Sequence, residues 1–186
     1  MRRYKFKLAE NPAITELVFS VILRYSLLLL FVLTNIFSFF IPIATLKAVF
    51  YILMIFSEPS LFNSTINFNG YFFELAPACI ALSAYYLLLI LNFSTPMSFR
   101  KRVYSLLFSF SLLFAINIAR IVILLLIFTA SENLFYRIHF ITWFFLSSLV
   151  VFLIWIFTIR IFKIKEIPVY SDIKFLAKAT KPLNRH

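Results

Sequence analysis

The sequence predicts an all-α integral membrane protein with four transmembrane helices. Its 186 residues are 63% hydrophobic and only 13% charged. A soluble domain is about 45–50% apolar and about 25% charged, so a chain of this size could not bury its apolar surface in a soluble core. Several apolar runs also reach the ~20 residues that a helix needs to cross the ~30 Å hydrocarbon core of a bilayer. We therefore expect one membrane domain over residues 1–186.

Basic residues decide which of five apolar stretches cross the membrane. These stretches cover about 14–41, 43–56, 77–93, 103–128 and 139–162. Most of the 18 Lys and Arg residues fall into three clusters, with four near the N-terminus, three at 100–102 and seven from Arg160 onward. Because cytoplasmic loops carry the excess of Lys and Arg, all three clusters are placed in the cytoplasm. Both termini are then cytoplasmic, and a single crossing fits before residue 77.

The stretch 14–41 is assigned as the first span. It follows a basic start at 1–7 and is typical of an uncleaved signal anchor, because it is too long for the apolar core of a cleaved signal peptide. The stretch 43–56 follows Pro42, contains Lys47 and is too short to cross. We expect it to form a helix that lies in the outer interface.

Residues 60–76 are predicted to form an outer element that leads into the second span. Asn69-Gly70 is the dipeptide that best supports a two-residue hairpin turn, because both central residues of that turn need a positive φ. The segment is therefore either a short β-hairpin or a plain polar loop. Residues 163–186 are expected to form a cytoplasmic tail. The remaining spans cover about 77–93, 103–128 and 139–162.

The composition argues against several classes of function. The net charge of +11 lies beside the ends of the apolar stretches, where it meets anionic lipid headgroups, so we expect no nucleic-acid partner. Two histidines and one cysteine provide too few ligands for metal chemistry, and no glycine-rich phosphate loop is present, so no cofactor is expected. The single cysteine, Cys79, has no partner for an intramolecular disulfide.

Arg120 is the residue that a lipid environment tolerates least. It lies inside the apolar span 103–128, where a charge costs at least about 2.5–3.5 kcal/mol and commonly marks a functional site in the bundle interior. Asn117 precedes it by three residues, which places both side chains on one face of the helix. The two residues are either a structural pair that binds a neighbouring helix or part of a functional site.

Cys79 and His139 are predicted to lie at the same depth as Arg120. At 1.5 Å per residue, Arg120, Cys79 and His139 lie about 25, 21 and 30 Å above the inner ends of their spans. Taken singly, Cys79 is a small packing residue and His139 an interface residue. Taken together, a thiol, a cation and a base have the composition of a nucleophile–base site. We therefore expect a site near the outer face.

The order Cys, Asn-x-x-Arg, His in a small polytopic protein resembles the exosortase/archaeosortase family. The matching residues are Ala78-Cys79, Asn117, Arg120 and His139. The likeness covers about residues 43–162, with the outer helix and hairpin included, and the short chain is similar to the small, pacearchaeosortase-like type. One departure follows the cysteine, because the family commonly has Ala-Cys-Ser-Gly where this chain has Ile80-Ala81.

The resemblance implies a membrane-embedded cysteine protease-transpeptidase at the extracytoplasmic face of the plasma membrane. Its partners would be surface proteins with a C-terminal sorting signal and a lipid-type acceptor for the new C-terminus. Such a signal has a short recognition motif, a spanning helix and a basic end. Cys79 would attack the peptide carbonyl, while His139 would act first as base and then as acid. Arg120 would stabilise the thiolate or the oxyanion, and Asn117 would orient Arg120 or donate to the substrate.

Two other classes of function fit the same residues. In a non-enzymatic membrane scaffold or assembly protein, Asn117 and Arg120 would hold helices together and Cys79 would only pack. In a transporter subunit, Arg120 would be an anion site. The transporter ranks lower, because the sequence has no internal repeat and no pair of broken helices.

Overall fold

The computed structural model describes residues 12–142, 147–166, 168, 170, 171, 173 and 174. This part of the chain is mostly helical and contains a three-stranded antiparallel sheet. The predicted basic start at 1–7 and much of the predicted tail lie outside the described residues. The helices are α1 (Pro12–Leu33), α2 (Ile36–Leu53), α3 (Pro77–Ile80), α4 (Leu82–Phe93), α5 (Phe99–Ala130), α6 (Glu132–Ile141) and α7 (Ser147–Ile161). The strands are β1 (Ser60–Phe62), β2 (Thr65–Phe68) and β3 (Tyr71–Glu74).

Two of these helices, α2 and α5, are long and apolar enough to cross a membrane. Helices α1, α4 and α7 contain shorter apolar stretches of 10–17 residues. The predicted span 103–128 lies within α5. Of the four predicted spans, it is therefore the one that coincides with a helix of full crossing length.

The predicted boundary between a first span over 14–41 and an outer helix over 43–56 is wrong. The helix breaks earlier, at Thr34 and Asn35, and Pro42 lies inside α2. Asn35 takes the left-handed conformation with φ 48°, which Asn tolerates better than most residues. The Thr34 hydroxyl donates to the Leu30 carbonyl at 2.8 Å, a local bond that competes with regular helix. Apolar helices tolerate an internal proline, so Pro42 does not end α2.

Helix α2 runs parallel to α5. Near its start, the ring of Phe37 lies 5.4 Å from that of Phe110, and near its end Leu53 packs in a buried cluster with Leu125. Residue numbers therefore rise together along both helices. A second buried cluster joins α4, α5 and α7, and contains Ala84, Tyr85, Leu88, Leu113, Val151, Ile154 and Trp155. Thus α2, α4 and α7 pack against α5, whereas α1 packs against α4.

The three-stranded sheet confirms the hairpin predicted at Asn69-Gly70. Both residues have a positive φ, 52° and 83°, as a two-residue turn with two left-handed positions requires. Phe68 pairs with Tyr71 across this turn. The sheet also has a strand that the sequence did not predict, because β1 pairs with β2 through a second turn that begins at Asn63, with φ 53°. The sheet order is β1-β2-β3.

The predicted span 77–93 is divided, and the helix that carries His139 begins before the predicted span 139–162. Ala81, with φ 58°, separates the four-residue α3 from α4. His139 does not open its helix but lies near the end of α6, which begins at Glu132. The Ser131 side chain caps α6 by accepting the backbone N–H of Leu134 at 3.4 Å. Residues 143–146, between α6 and α7, lie outside the described residues.

Arg102 is buried in the turn between α4 and α5. Its guanidinium donates to the carbonyls of Asn92 at 2.6 Å and Thr95 at 3.0 Å, and lies 5.1 Å from the centre of the Phe93 ring. The last carbonyls of a helix have no partner within the helix. Arg102 therefore caps α4 from the first turn of α5 and fixes the angle at which the two helices meet.

We expect Arg102→Leu to lower the free energy of unfolding of the detergent-solubilised protein by about 3 kcal/mol, because it removes two buried hydrogen bonds from a charged donor. Chemical denaturation measures this change. The matched control is Lys101→Leu, which removes an exposed charge and should change stability by no more than about 0.5 kcal/mol. Equal effects of the two substitutions would contradict the capping role.

Candidate active site

The backbone carbonyl of Cys79 joins three of the predicted site residues. The Asn117 side-chain amide donates to this carbonyl at 3.0 Å. The Arg120 guanidinium donates to the same oxygen at 2.9 Å. Asn117 is only 4% exposed, and Cys79 and Arg120 are half-buried. The predicted pairing of Asn117 and Arg120 on one face of α5 is thus present, and both side chains point at the helix that carries the cysteine.

The break at Ala81 makes this carbonyl available. In a continuous helix the Cys79 carbonyl would accept the N–H of Ser83, four residues later. Ala81 instead takes a left-handed conformation, and its own carbonyl accepts the N–H of Ala84 at 3.0 Å. Helix α3 therefore ends with an unsatisfied acceptor, and Asn117 and Arg120 of α5 supply its donors.

Ala81 stands at the position where the motif of the family that the sequence resembles has glycine. In the motif Ala-Cys-Ser-Gly, the glycine is the second residue after the cysteine, which is the position of Ala81 here. Ala81 has φ 58° and ψ 34°, the region that glycine enters without steric cost. The chain thus adopts at Ala81 the backbone conformation that a glycine would favour, although the glycine itself is absent.

His139 is not in hydrogen-bond contact with the other three residues. Across the described parts of the chain, its ring stacks on Phe135 at 5.2 Å and makes no hydrogen bond to Cys79 or Arg120. Phe135 in turn contacts Phe128 of α5 at 5.1 Å. The structure therefore joins Cys79 to Arg120, and links His139 to the C-terminal part of α5 through two aromatic rings.

A small cavity lies beside Arg120 and Asn117. It has a volume of about 40 Å³ and is also lined by Ala81, Ile116 and Val150. This volume admits about one to three water molecules. Ile116 and Val150 also line a larger groove of about 300 Å³ between α5 and α7, which extends as far as Arg160. The polar pair thus lies where a small, mostly apolar cavity meets a larger apolar groove.

The sequence did not reveal the lining of this groove or the importance of Ala81. Ile116 and Val150 lie in uniformly apolar stretches, where no periodicity separates lipid-facing from groove-facing positions. For Ala81, the comparison with the family's glycine was the available signal. Among the described residues, no three His, Cys, Asp or Glu side chains form a group able to hold a metal ion.

The chain was compared with protein-family models, with curated proteins and with solved structures, and none of them matches. The function of this site is therefore argued from its residues and geometry.

We expect Ala81→Gly to raise the free energy of unfolding by about 1 kcal/mol, because a left-handed backbone costs about 1–2 kcal/mol for a residue with a Cβ. The same substitution at Ala119, inside α5, should lower stability by about 1 kcal/mol through the poor helix propensity of glycine. Denaturation in detergent measures both values. A loss of stability at both positions would contradict the strain assigned to Ala81.

Proposed function

We propose that this protein is a membrane-embedded cysteine protease-transpeptidase that cleaves C-terminal sorting signals of surface proteins and transfers them to a lipid-type acceptor. The observation that carries the proposal is the contact of Asn117 and Arg120 with the backbone of Cys79. A half-buried cation and an amide donor at the residue that carries the thiol provide the polar surroundings that acyl transfer needs.

Four spans are proposed, formed by α2, α4, α5 and α7, with both termini in the cytoplasm. The parallel course of α2 and α5 supports this arrangement, as does the basic turn at 100–102 between α4 and α5. Phe31 of α1 lies 6.1 Å from Phe93, at the inner end of α4, so α1 is placed along the inner interface. The sheet and the site then face the extracytoplasmic side of the plasma membrane.

In the proposed reaction, the Cys79 sulfur attacks the carbonyl carbon of the scissile peptide. His139 accepts the thiol proton and passes it to the leaving amine, so that a thioester remains on Cys79. A hydroxyl of the acceptor lipid, or water, then attacks the thioester and releases the thiol. His139 must approach the sulfur for this role. Catalytic hydrogen bonds are often long before substrate binds, and α6 is the element that would move.

Arg120 is assigned to the negative charge that develops during the reaction. A guanidinium has five N–H donors in a fixed plane, so it can hold the Cys79 carbonyl and stabilise an oxyanion through different groups. In a site of low dielectric constant such stabilisation is stronger than in water. Asn117 helps to position Arg120, because both side chains donate to the backbone carbonyl oxygen of Cys79.

The spanning helix of the substrate is proposed to occupy the groove between α5 and α7. Ile116 and Val150 line both this groove and the cavity at Arg120, so an apolar helix in the groove would have its outer end beside the site. Arg160 marks the inner end of the groove.

One observation favours a second candidate, a non-enzymatic membrane scaffold. Asn117 and Arg120 both bind a backbone carbonyl, which is also how polar side chains hold transmembrane helices together. In that function α3 is merely fixed to α5, and the thiol of Cys79 has no role. Substitution of the thiol distinguishes the two functions.

We expect Cys79→Ala to abolish cleavage while the protein stays folded, because the nucleophile is removed. The assay follows exported reporters whose last span is preceded by a randomised segment and followed by basic residues. His139→Ala should lower cleavage by about 10²–10⁴-fold, the usual contribution of an acid–base group. Its control is Arg137→Ala, an exposed position on the same helix, which should retain activity. Mass spectrometry should detect a thioester on Cys79. Undiminished cleavage by Cys79→Ala would reject the proposed mechanism, and a full reporter library left uncleaved by the unaltered protein would favour the scaffold.

Single-cysteine labelling tests the proposed orientation. In the Cys79→Ala background, Ser64→Cys places a thiol in the exposed turn between β1 and β2, and Ser98→Cys places one before α5. On intact cells, a membrane-impermeant maleimide should label the Ser64 variant and not the Ser98 variant. Permeabilised cells should label both. Labelling of Ser98→Cys from outside would overturn the four-span arrangement.

A further inference from the structure

Strand β3 has an open edge. The sheet order is β1-β2-β3, so β3 is hydrogen-bonded on one side. Phe68 and Tyr71 flank a two-residue turn and form a hydrogen-bonded pair, and such pairs alternate along an antiparallel ladder. The N–H and C=O groups of Phe72 and Glu74 therefore point away from β2.

These outward backbone groups have no partner among the described residues, where no hydrogen bond involves the N–H or C=O of Phe72 or Glu74 outside the ladder. Both residues are exposed, and the side chain of Phe72 is 69% exposed. Proteins usually cover or interrupt an edge strand, because its unpaired groups accept another strand. No proline interrupts β3, and Glu74 at its end is the one charged residue of the strand.

The open strand leads directly to the candidate nucleophile. The rings of Tyr71 and Phe73 lie 5.3 and 5.2 Å from that of Phe128 on α5. Cys79 follows β3 by five residues, and its backbone carbonyl accepts a hydrogen bond from Arg120. On α5, Arg120 precedes Phe128 by eight residues. The contacts of β3 and of Cys79 with α5 are therefore about 12 Å apart along the helix axis.

Helix α6 also contacts Phe128. The ring of Phe135 lies 5.1 Å from that of Phe128, and His139 stacks on Phe135. In β2, the buried Ile66 packs in the cluster that contains Val49 of α2. The free edge of β3 is the edge away from β2, and Phe128 of α5 contacts both β3 and α6.

We propose that an extended segment of the substrate polypeptide pairs with the free edge of β3 as a fourth strand, between β3 and α6. This inference rests on the proposed function and names how its substrate is held. The substrate runs from an outer domain through the cleavage point into its spanning helix. This protein runs in the same direction from β3 into α3 and α4, so the added strand is parallel to β3. Its alternate amides bond to Phe72 and Glu74, and the strand delivers the scissile carbonyl to Cys79.

The test begins with the reporter library described above and uses the full-length protein in its membrane. Phe72→Pro removes the outward N–H of β3, and an edge strand tolerates proline at such a position. The matched control is Leu61→Pro. Leu61 and Ile66 form a pair without hydrogen bonds between two hydrogen-bonded pairs of β1 and β2. The N–H of Leu61 therefore points away from β2, at the other edge of the sheet. Phe72→Pro should lower cleavage about tenfold with the loss mainly in KM, while Leu61→Pro keeps the activity of the unaltered protein.

A third variant separates the backbone from the side chain. Phe72→Ala keeps the N–H and removes the ring, so cleavage should remain within about twofold of the unaltered protein. If Phe72→Ala lost as much activity as Phe72→Pro, the ring and not the strand edge would bind substrate, and the proposal would be overturned. Equal activity of Phe72→Pro and Leu61→Pro would overturn it as well.

A scan of the substrate makes the test independent of how the variants fold. A synthetic peptide of the cleaved sequence is N-methylated at one amide at a time. Strand pairing predicts losses at every second position before the cleavage point, because alternate amides face β3. If N-methylation lowers cleavage equally at all positions or at none, the strand pairing is rejected, whereas the proposed cleavage activity is not. If the unaltered protein cleaves no library member, the proposed function fails and the inference fails with it.

Discussion

The backbone carbonyl of Cys79 is the group on which the site depends. Ala81 interrupts the helix just after the cysteine, and the interruption deprives this carbonyl of its N–H partner. In a membrane no water replaces a missing partner cheaply, and an unsatisfied backbone group costs several kcal/mol. Asn117 and Arg120 satisfy it from α5. The same two bonds hold the backbone that carries the thiol against a cation, so the proposed chemistry rests on the interaction that also removes this cost.

Patterns that act over a few residues predicted much of the fold. The Asn69-Gly70 turn was found because its two positive φ angles demand those residue types. The break at Asn35 was missed because proline at 42 looked like the stronger interruption, whereas a long apolar helix accepts an internal proline. Strand β1 was missed for a related reason. Its turn begins at Asn63 and contains no glycine, so nothing marked it as a hairpin.

Helical periodicity predicted the part of the site that lies on α5. Asn117 and Arg120 are three residues apart on a long helix, so their common face followed from the spacing, and the contact with Cys79 agrees with the predicted depth. The position of His139 within its helix did not follow, because His139 was taken as the first residue of the last span, whereas α6 begins at Glu132. The cap at Ser131 starts this helix, and its contact with α5 through Phe135 depends on tertiary packing that no local pattern encodes.

Arg102 and Arg120 of α5 bind backbone carbonyls near the two ends of α4. The two residues are 18 positions apart on α5, which is five turns, so they lie on one face about 27 Å apart. Arg120 holds the carbonyl of Cys79, and Arg102 holds that of Asn92. Helix α4, with 12 residues, is about 18 Å long and too short to cross alone. A planar guanidinium binds carbonyls at fixed angles and is less strongly hydrated than an ammonium, so lysine would not serve equally. The two arginines thereby fix the position of α4 along α5 and, with it, the position of Cys79.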